Sequence, residues 1–100
     1  MKVVAKSKVR SDKIDEFKDK AEELIEKTRN EEGNISYELC QEVENPNILT
    51  FIEEWESQEA LKMHMQTEHF KNIFPELKKL LVEEMEEPEI DVYKLENLST

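Results

Sequence analysis

The stretch NISYELCQEVENPNILTFIEEWE, Asn34 to Glu56, decides the fold. In NISYELCQEV, Ile35, Tyr37, Leu39 and Val43 alternate with Ser36, Glu38, Cys40 and Glu42. A period of two places the first set on one face of a strand and the second set on the other. ENPN, Glu44–Asn47, supplies turn chemistry. ILTFIEEWE then resumes the alternation, with Phe51, Glu53 and Trp55 sharing one face and Thr50, Ile52 and Glu54 the other. Two such runs joined by a short polar turn predict an antiparallel hairpin.

Upstream of the hairpin, KVVAKSKV (Lys2–Val9) is β-branched, with Val3, Ala5, Ser7 and Val9 facing one way and Lys2, Val4, Lys6 and Lys8 the other. Ser11 then reads as a helix N-cap, with Asp12 at the positive helix end. Ile14, Phe17, Ala21, Leu24, Ile25 and Thr28 follow at spacings of three and four, the stripe of an amphipathic helix. NEEGN stops it, and Gly33, the single glycine, suits a left-handed turn.

Downstream, Ser57 caps a short helix, QEALKMHMQT, with Leu61, His64 and Met65 along its apolar stripe. A second helical piece is predicted from about His69 to Glu84, using Phe70, Ile73, Phe74, Leu77, Leu80 and Leu81. Pro75 should kink that piece or mark its first turn. Pro88 ends the helical region, and EIDVYKLE makes a last strand with Ile90 and Val92 inward.

The order is β-α-β-β-α-β, an α+β chain of the ferredoxin-like kind, with a four-stranded antiparallel sheet and its helices on one face. No linker, repeat or low-complexity segment interrupts residues 1–100, which read as one domain. The other sheet face still carries Val4, Ile52 and a residue of the last strand, and covering it with a second copy predicts a homodimer.

Charge narrows the partners. A net charge of −11 without an offsetting Lys/Arg cluster repels a phosphate backbone, so neither nucleic acid nor an anionic membrane is expected to bind. Cys40 is the only cysteine, so no intrachain disulfide is possible, and its thiol is expected in or beside the core. MKVVAKSKV has no long apolar run of the sort a signal peptide or membrane span needs. A cytoplasmic location is therefore expected.

The chain has two histidines, His64 and His69, with Glu68 between them. On an unbroken helix a five-residue step turns them about 140° apart, so they diverge unless the helix breaks. His64 and Glu68 share a face, but two ligands are fewer than a zinc or iron site needs, and no metal is expected. His69 reads as a cap or an exposed residue. Glu53, on a strand face with Phe51 and Trp55, is expected to be buried, and a buried carboxylate must find a partner or take up a proton. Tyr37 and Trp55 are large aromatics on inward faces, suited to core packing or to stacking on a flat ligand. Asn34 and Ser7 are further polar contacts. A single glycine leaves no phosphate-binding loop, so a dinucleotide cofactor has no seat.

EEGNISYELCQ (Glu31–Gln41), FIEEWES (Phe51–Ser57) and EALKMHMQTEHFK (Glu59–Lys71) resemble, in order and spacing, the antibiotic biosynthesis monooxygenase family. These are small dimeric α+β barrel proteins that include quinol monooxygenases. The resemblance implies a homodimer and a pocket between helices and sheet bordered by His64. It further implies cofactor-independent oxidation of a quinol or related small aromatic, with His64 as the catalytic group. Tyr37, Glu53, Trp55, Asn34, Ser7 and Phe74 are then the pocket residues. In the haem-degrading branch of the family, a strand asparagine falls at Ser7, a pocket tryptophan at His64 and the haem-ligating histidine at Phe74. None is kept, and phenylalanine cannot ligate iron. The branch that isomerises a phosphorylated autoinducer sugar derivative implies a cationic pocket, for which Lys6 or Lys71 would have to converge. A non-enzymatic ligand-binding or stress-response dimer of the same fold is the alternative from outside enzymology.

Overall fold

A computed structural model describes residues 1–96 and 98. Strand β1 spans Lys2–Lys8, helix α1 Ile14–Thr28, strands β2 and β3 Asn34–Gln41 and Ile48–Trp55, helices α2 and α3 Gln58–Gln66 and Glu68–Lys78, and strand β4 Glu89–Tyr93. The strands pair antiparallel in the order β2-β3-β1-β4, the ferredoxin-like arrangement the alternation predicts. No helix among the described residues is long and apolar enough to cross a membrane.

The core lies between the helices and one sheet face. Val3, Ala5, Ser7 and Val9 of the first strand region, and Leu49, Phe51, Glu53 and Trp55 of β3, are all buried. Phe17, Ala21 and Leu24 of α1 come down on them at helical spacing, joined by Ile73 and Leu77 of α3. On the opposite sheet face Lys2, Lys6 and Lys8 are exposed, Val4 is half-buried and Ile52 is exposed.

Several local expectations give way to backbone demands. Ile35 is 54% exposed and Val43 is 93% exposed, so neither shares the buried face of Tyr37. The register slips between Asn34 and Ser36, and this irregularity turns Ile35 to the far side. Val43 lies past the end of β2. Ser11 does not cap α1: it begins a 3₁₀ turn, Ser11–Lys13, and its hydroxyl accepts from Asn47 Nδ2 at 3.0 Å.

Helix α3 stops at Lys78 rather than near Glu84, with Pro75 in its third turn. The reason is that the end of the first strand needs partners. Arg10 N–H donates to the Leu80 carbonyl, Val82 N–H donates to that of Lys8, and Leu81 bridges Val9. Leu80 and Leu81 stay buried, the first in the turn that closes α3 and the second in a bridge to the first strand. On β4, Ile90 and Val92 pair with Ala5 and Val3 and so face the helix side, yet each is 52% exposed. Cys40 is half-buried on β2.

Candidate functional site

The site forms where α2 and α3 cross the β2–β3 hairpin, and a break between those helices builds it. Thr67 has extended backbone, its hydroxyl donates to the His64 carbonyl at 2.7 Å, and the same oxygen accepts from Phe70 N–H at 3.3 Å. One residue thus closes α2 and caps α3. The break cancels the divergence that a continuous helix would impose, and the two histidines turn toward one another with ring centroids 6.3 Å apart. His69 is therefore neither a cap nor free on the surface.

Both rings meet Glu31, which the turn after α1 carries into place. Its Oε2 lies 2.8 Å from His64 Nδ1 and 2.6 Å from His69 Nε2. Gly33 makes this approach possible. Its φ is +87°, and a β-carbon there would fall 2.6 Å from that of Ala60 on α2, so only glycine lets the turn seat against the helix. Glu31 had no assigned role in the sequence although it stands in the EEGN motif. Its partners lie 33 and 38 residues away, and no local periodicity connects them.

His64 is 1% exposed and ringed by aromatics: Trp55 at 4.7 Å, Phe70 at 4.8 Å and Tyr37 at 5.4 Å between centroids. With Nδ1 against a carboxylate oxygen, that nitrogen carries the hydrogen and Nε2 keeps the lone pair. Nε2 is buried and has no hydrogen-bond partner among the described residues. Burial lowers the pKa of the imidazole below its ordinary 6.5, opposed by the hydrogen bond and charge of Glu31. The ring is thus a neutral base at physiological pH.

An apolar cavity of about 160 Å³ lies beside it. Val3, Ala5, Phe51, Leu61, Met65, Phe70 and Phe74 supply most of the wall, and the half-exposed Ile90 and Val92 form its rim on β4. Phe70 and Phe74 stack at 4.7 Å along one side. Three titratable groups line it: His64, Tyr37 and Glu53. Tyr37 and Glu53 are directly paired across the β2–β3 ladder, so they stand side by side on the inward face.

Trp55 Nε1–H donates to Glu53 Oε1 at 2.9 Å, the only support that carboxyl receives among the described residues. Burial pushes Glu53 up to about 7 against that hydrogen bond, with the charge of Glu31 adding to the rise. Burial also raises the Tyr37 phenol well above its usual value, helped by Glu53 and Glu31. The cavity therefore presents one base and, in the form in which Glu53 holds its proton, two hydrogen donors in surroundings of low polarity.

The structure brings His64, Tyr37, Glu53 and Phe74 to one cavity and sets three other sequence candidates apart from it. Trp55 lies behind Glu53 as its hydrogen-bond donor. Asn34 spends its amide on the carbonyls of Ser36 and Glu54, holding the slipped strand. Ser7 is buried behind Phe74, where only about 10 Å³ of space remains. Lys6 and Lys71 are exposed and do not reach the cavity, whose wall holds no cation among the described residues. A phosphorylated ligand has no counter-charge there.

Glu31, His64 and His69 are the described residues whose donor atoms could gather a metal ion, all within 4.8 Å of one another. Donors around a tetrahedral ion at its usual bond lengths stand about 3.3 Å apart. Two of the separations here are 2.6 and 2.8 Å, the spacing of charge-assisted hydrogen bonds. The arrangement fits two imidazole N–H groups sharing one carboxylate oxygen.

Comparison with known proteins adds a family to this geometry. The family model described as antibiotic biosynthesis monooxygenase matches residues 1–76. Over 74 residues the chain is 36% identical to the Bacillus subtilis (strain 168) protein named "Putative monooxygenase YcnE", covering 74% of this chain and 78% of that one. A crystal structure of a conserved protein from Methanosarcina mazei Go1 superposes with a TM-score of 0.90 at 44% identity, covering 95% and 91% of the two chains. Another, titled as an antibiotic biosynthesis monooxygenase, gives a TM-score of 0.87 at 29% identity over 96% and 98%.

Proposed function

The chain belongs to the antibiotic biosynthesis monooxygenase family, and from that premise we propose that it is a cofactor-independent monooxygenase acting on a quinol or related aromatic of about one ring. The observation that carries this reading is the buried, unpartnered Nε2 of His64 on the wall of an apolar cavity. Its volume matches engineered apolar cavities of about 150 Å³ that take up benzene.

A quinol hydroxyl seated against His64 gives its proton to Nε2, and Glu31 steadies the imidazolium that forms. The resulting anion is electron-rich and passes one electron to dioxygen, and the two radicals combine at a ring carbon. The hydroperoxide so formed loses water, leaving a hydroxylated quinone. One oxygen atom has entered the ring, the other has left as water, and the quinol has supplied all the electrons. Tyr37 and Glu53 donate hydrogen bonds to the oxygen that carries negative charge, and the apolar wall keeps water from that anion.

Oxygen uptake with a panel of single-ring hydroquinones tests the proposal. Turnover by the wild-type protein that falls at least about 100-fold in His64→Ala is expected for loss of a general base. Equal rates in the two proteins reject the role of His64. Thermal stabilisation by a hydroquinone without oxygen uptake or product identifies instead a non-enzymatic ligand-binding protein.

The working unit we propose is a homodimer located in the cytoplasm. Ile52 and Tyr93 are exposed, with the half-buried Val4 beside them on the sheet face away from the helices. A second copy covering that face would remove this apolar surface from water. Sedimentation should give twice the chain mass for wild type and the chain mass for Ile52→Asp; a wild-type monomer rejects the dimer.

A further inference from the structure

The cavity holds a combination that also meets the demands of a second reaction: a base on one wall and two adjacent hydrogen donors on another. Loss of a phenolic proton leaves charge on an oxygen that is already acidic. Loss of a proton from carbon next to a carbonyl demands more, because the base must reach a C–H while donors hold the carbonyl oxygen some way off. Here the base comes from α2 and the donors come from the facing pair on β2 and β3. Tyr37 Oη and Glu53 Oε2 form no hydrogen bond among the described residues, and Glu53 Oε1 is fixed by Trp55. A tyrosine beside a neutral carboxylic acid is a known way to stabilise an enolate at neutral pH.

We propose that this cavity also catalyses proton transfer at carbon, converting a small uncharged ketone or β,γ-unsaturated ketone of about one ring through its enol. The inference rests on His64 acting as the base, as the oxidation does, but it needs no oxygen. His64 Nε2 takes a proton from the carbon adjacent to the carbonyl, and the C–H electron pair moves to form the enolate. Tyr37 and Glu53 hold that oxygen. The imidazolium then returns the proton to the far carbon of the double bond, which shifts into conjugation. Nothing is oxidised or reduced, and every group ends as it began. A wall without a cation among the described residues selects an uncharged substrate.

The test is conversion of a β,γ-unsaturated cyclohexenone to its conjugated isomer under nitrogen in D₂O. Absorbance follows the conversion, and proton NMR follows deuterium entry next to the carbonyl. Wild type should isomerise it above the buffer rate. Tyr37→Phe, which keeps the ring and its packing, should slow the reaction by about 100-fold, the usual loss for one oxyanion donor. His64→Gln should abolish it, and the near-ultraviolet circular dichroism of each variant reports whether its core remains packed. Oxygen uptake with hydroquinones but no isomerisation under nitrogen overturns this inference and leaves the oxidation standing. Isomerisation without oxygen uptake supports it and overturns the oxidation. Isomerisation unaffected by Tyr37→Phe overturns the assignment of the donors.

Discussion

Replacing Glu53 by glutamine removes the one carboxyl that the fold buries beside the cavity while keeping an acceptor for Trp55 Nε1–H. The consequence for stability follows from the rise of its pKa from 4.5 to about 7 on folding. Below the lower value the group is protonated in both states, and the two proteins differ only by a constant. As pH rises above it, the unfolded chain ionises and the folded chain does not, so the unfolded state gains. Folding free energy then falls by about 1.4 kcal/mol per pH unit until Glu53 ionises in the fold, about 3 kcal/mol in all. His64 acts in the opposite sense, since its lowered pKa makes stability rise as pH approaches 6.5. That contribution is common to wild type and variant and drops out of their difference. Urea unfolding at steps from about pH 4.5 to 8.5 measures both free energies by linear extrapolation. Relative to Glu53→Gln, wild type should lose about 3 kcal/mol across that range, most of it before about pH 7. A difference that stays flat, or that grows in favour of wild type with pH, refutes the claim that Glu53 sits unpaired by charge in a desolvated site.

Four further outcomes follow from the same geometry. The rate of quinol oxidation should be bell-shaped in pH, rising as His64 loses its proton below 6.5 and falling as Glu53 ionises near about 7; a profile rising steadily to alkaline pH contradicts this pairing. Glu31→Gln keeps an acceptor for His64 Nδ1 but removes the charge that raises the His64 pKa, so the acid limb of that profile should move to lower pH while the maximal rate falls by roughly 10-fold or more. Gly33→Ala puts a β-carbon against Ala60 at a positive φ and should cost about 2 kcal/mol or more in urea unfolding. Phe74→Ala opens the cavity wall, so kcat/KM for a two-ring quinol should rise relative to a one-ring quinol; an unchanged ratio would show that Phe74 does not limit substrate size.

The sheet was legible in the sequence because strand faces are written residue by residue. The alternation through Val3–Val9 and Leu49–Trp55 coincides with burial at each inward position. Ile35 was misplaced because a slip of register adds one residue that a strict period of two cannot anticipate. The length of α3 was overestimated for a related reason: Leu80 and Leu81 keep helical spacing, but the open end of the first strand claims their backbone. Burial of Glu53 could be read from its place between Phe51 and Trp55. The junction of Glu31, His64 and His69 could not, because it depends on one threonine breaking a helix and one glycine admitting a turn. Motif spacing marks where such residues lie along the chain, whereas their convergence is set by tertiary approach.

The most direct test of the account is the protonation pattern of His64 in long-range proton–nitrogen NMR spectra of protein labelled with ¹⁵N-histidine, recorded at neutral pH with and without a single-ring phenol that cannot be oxidised to a quinone. The account predicts a neutral ring with hydrogen on Nδ1 and a bare Nε2 whose resonance moves toward the hydrogen-bonded range when the phenol is added. An Nε2 that already carries the hydrogen, or one that ignores the phenol at saturating concentration, contradicts it.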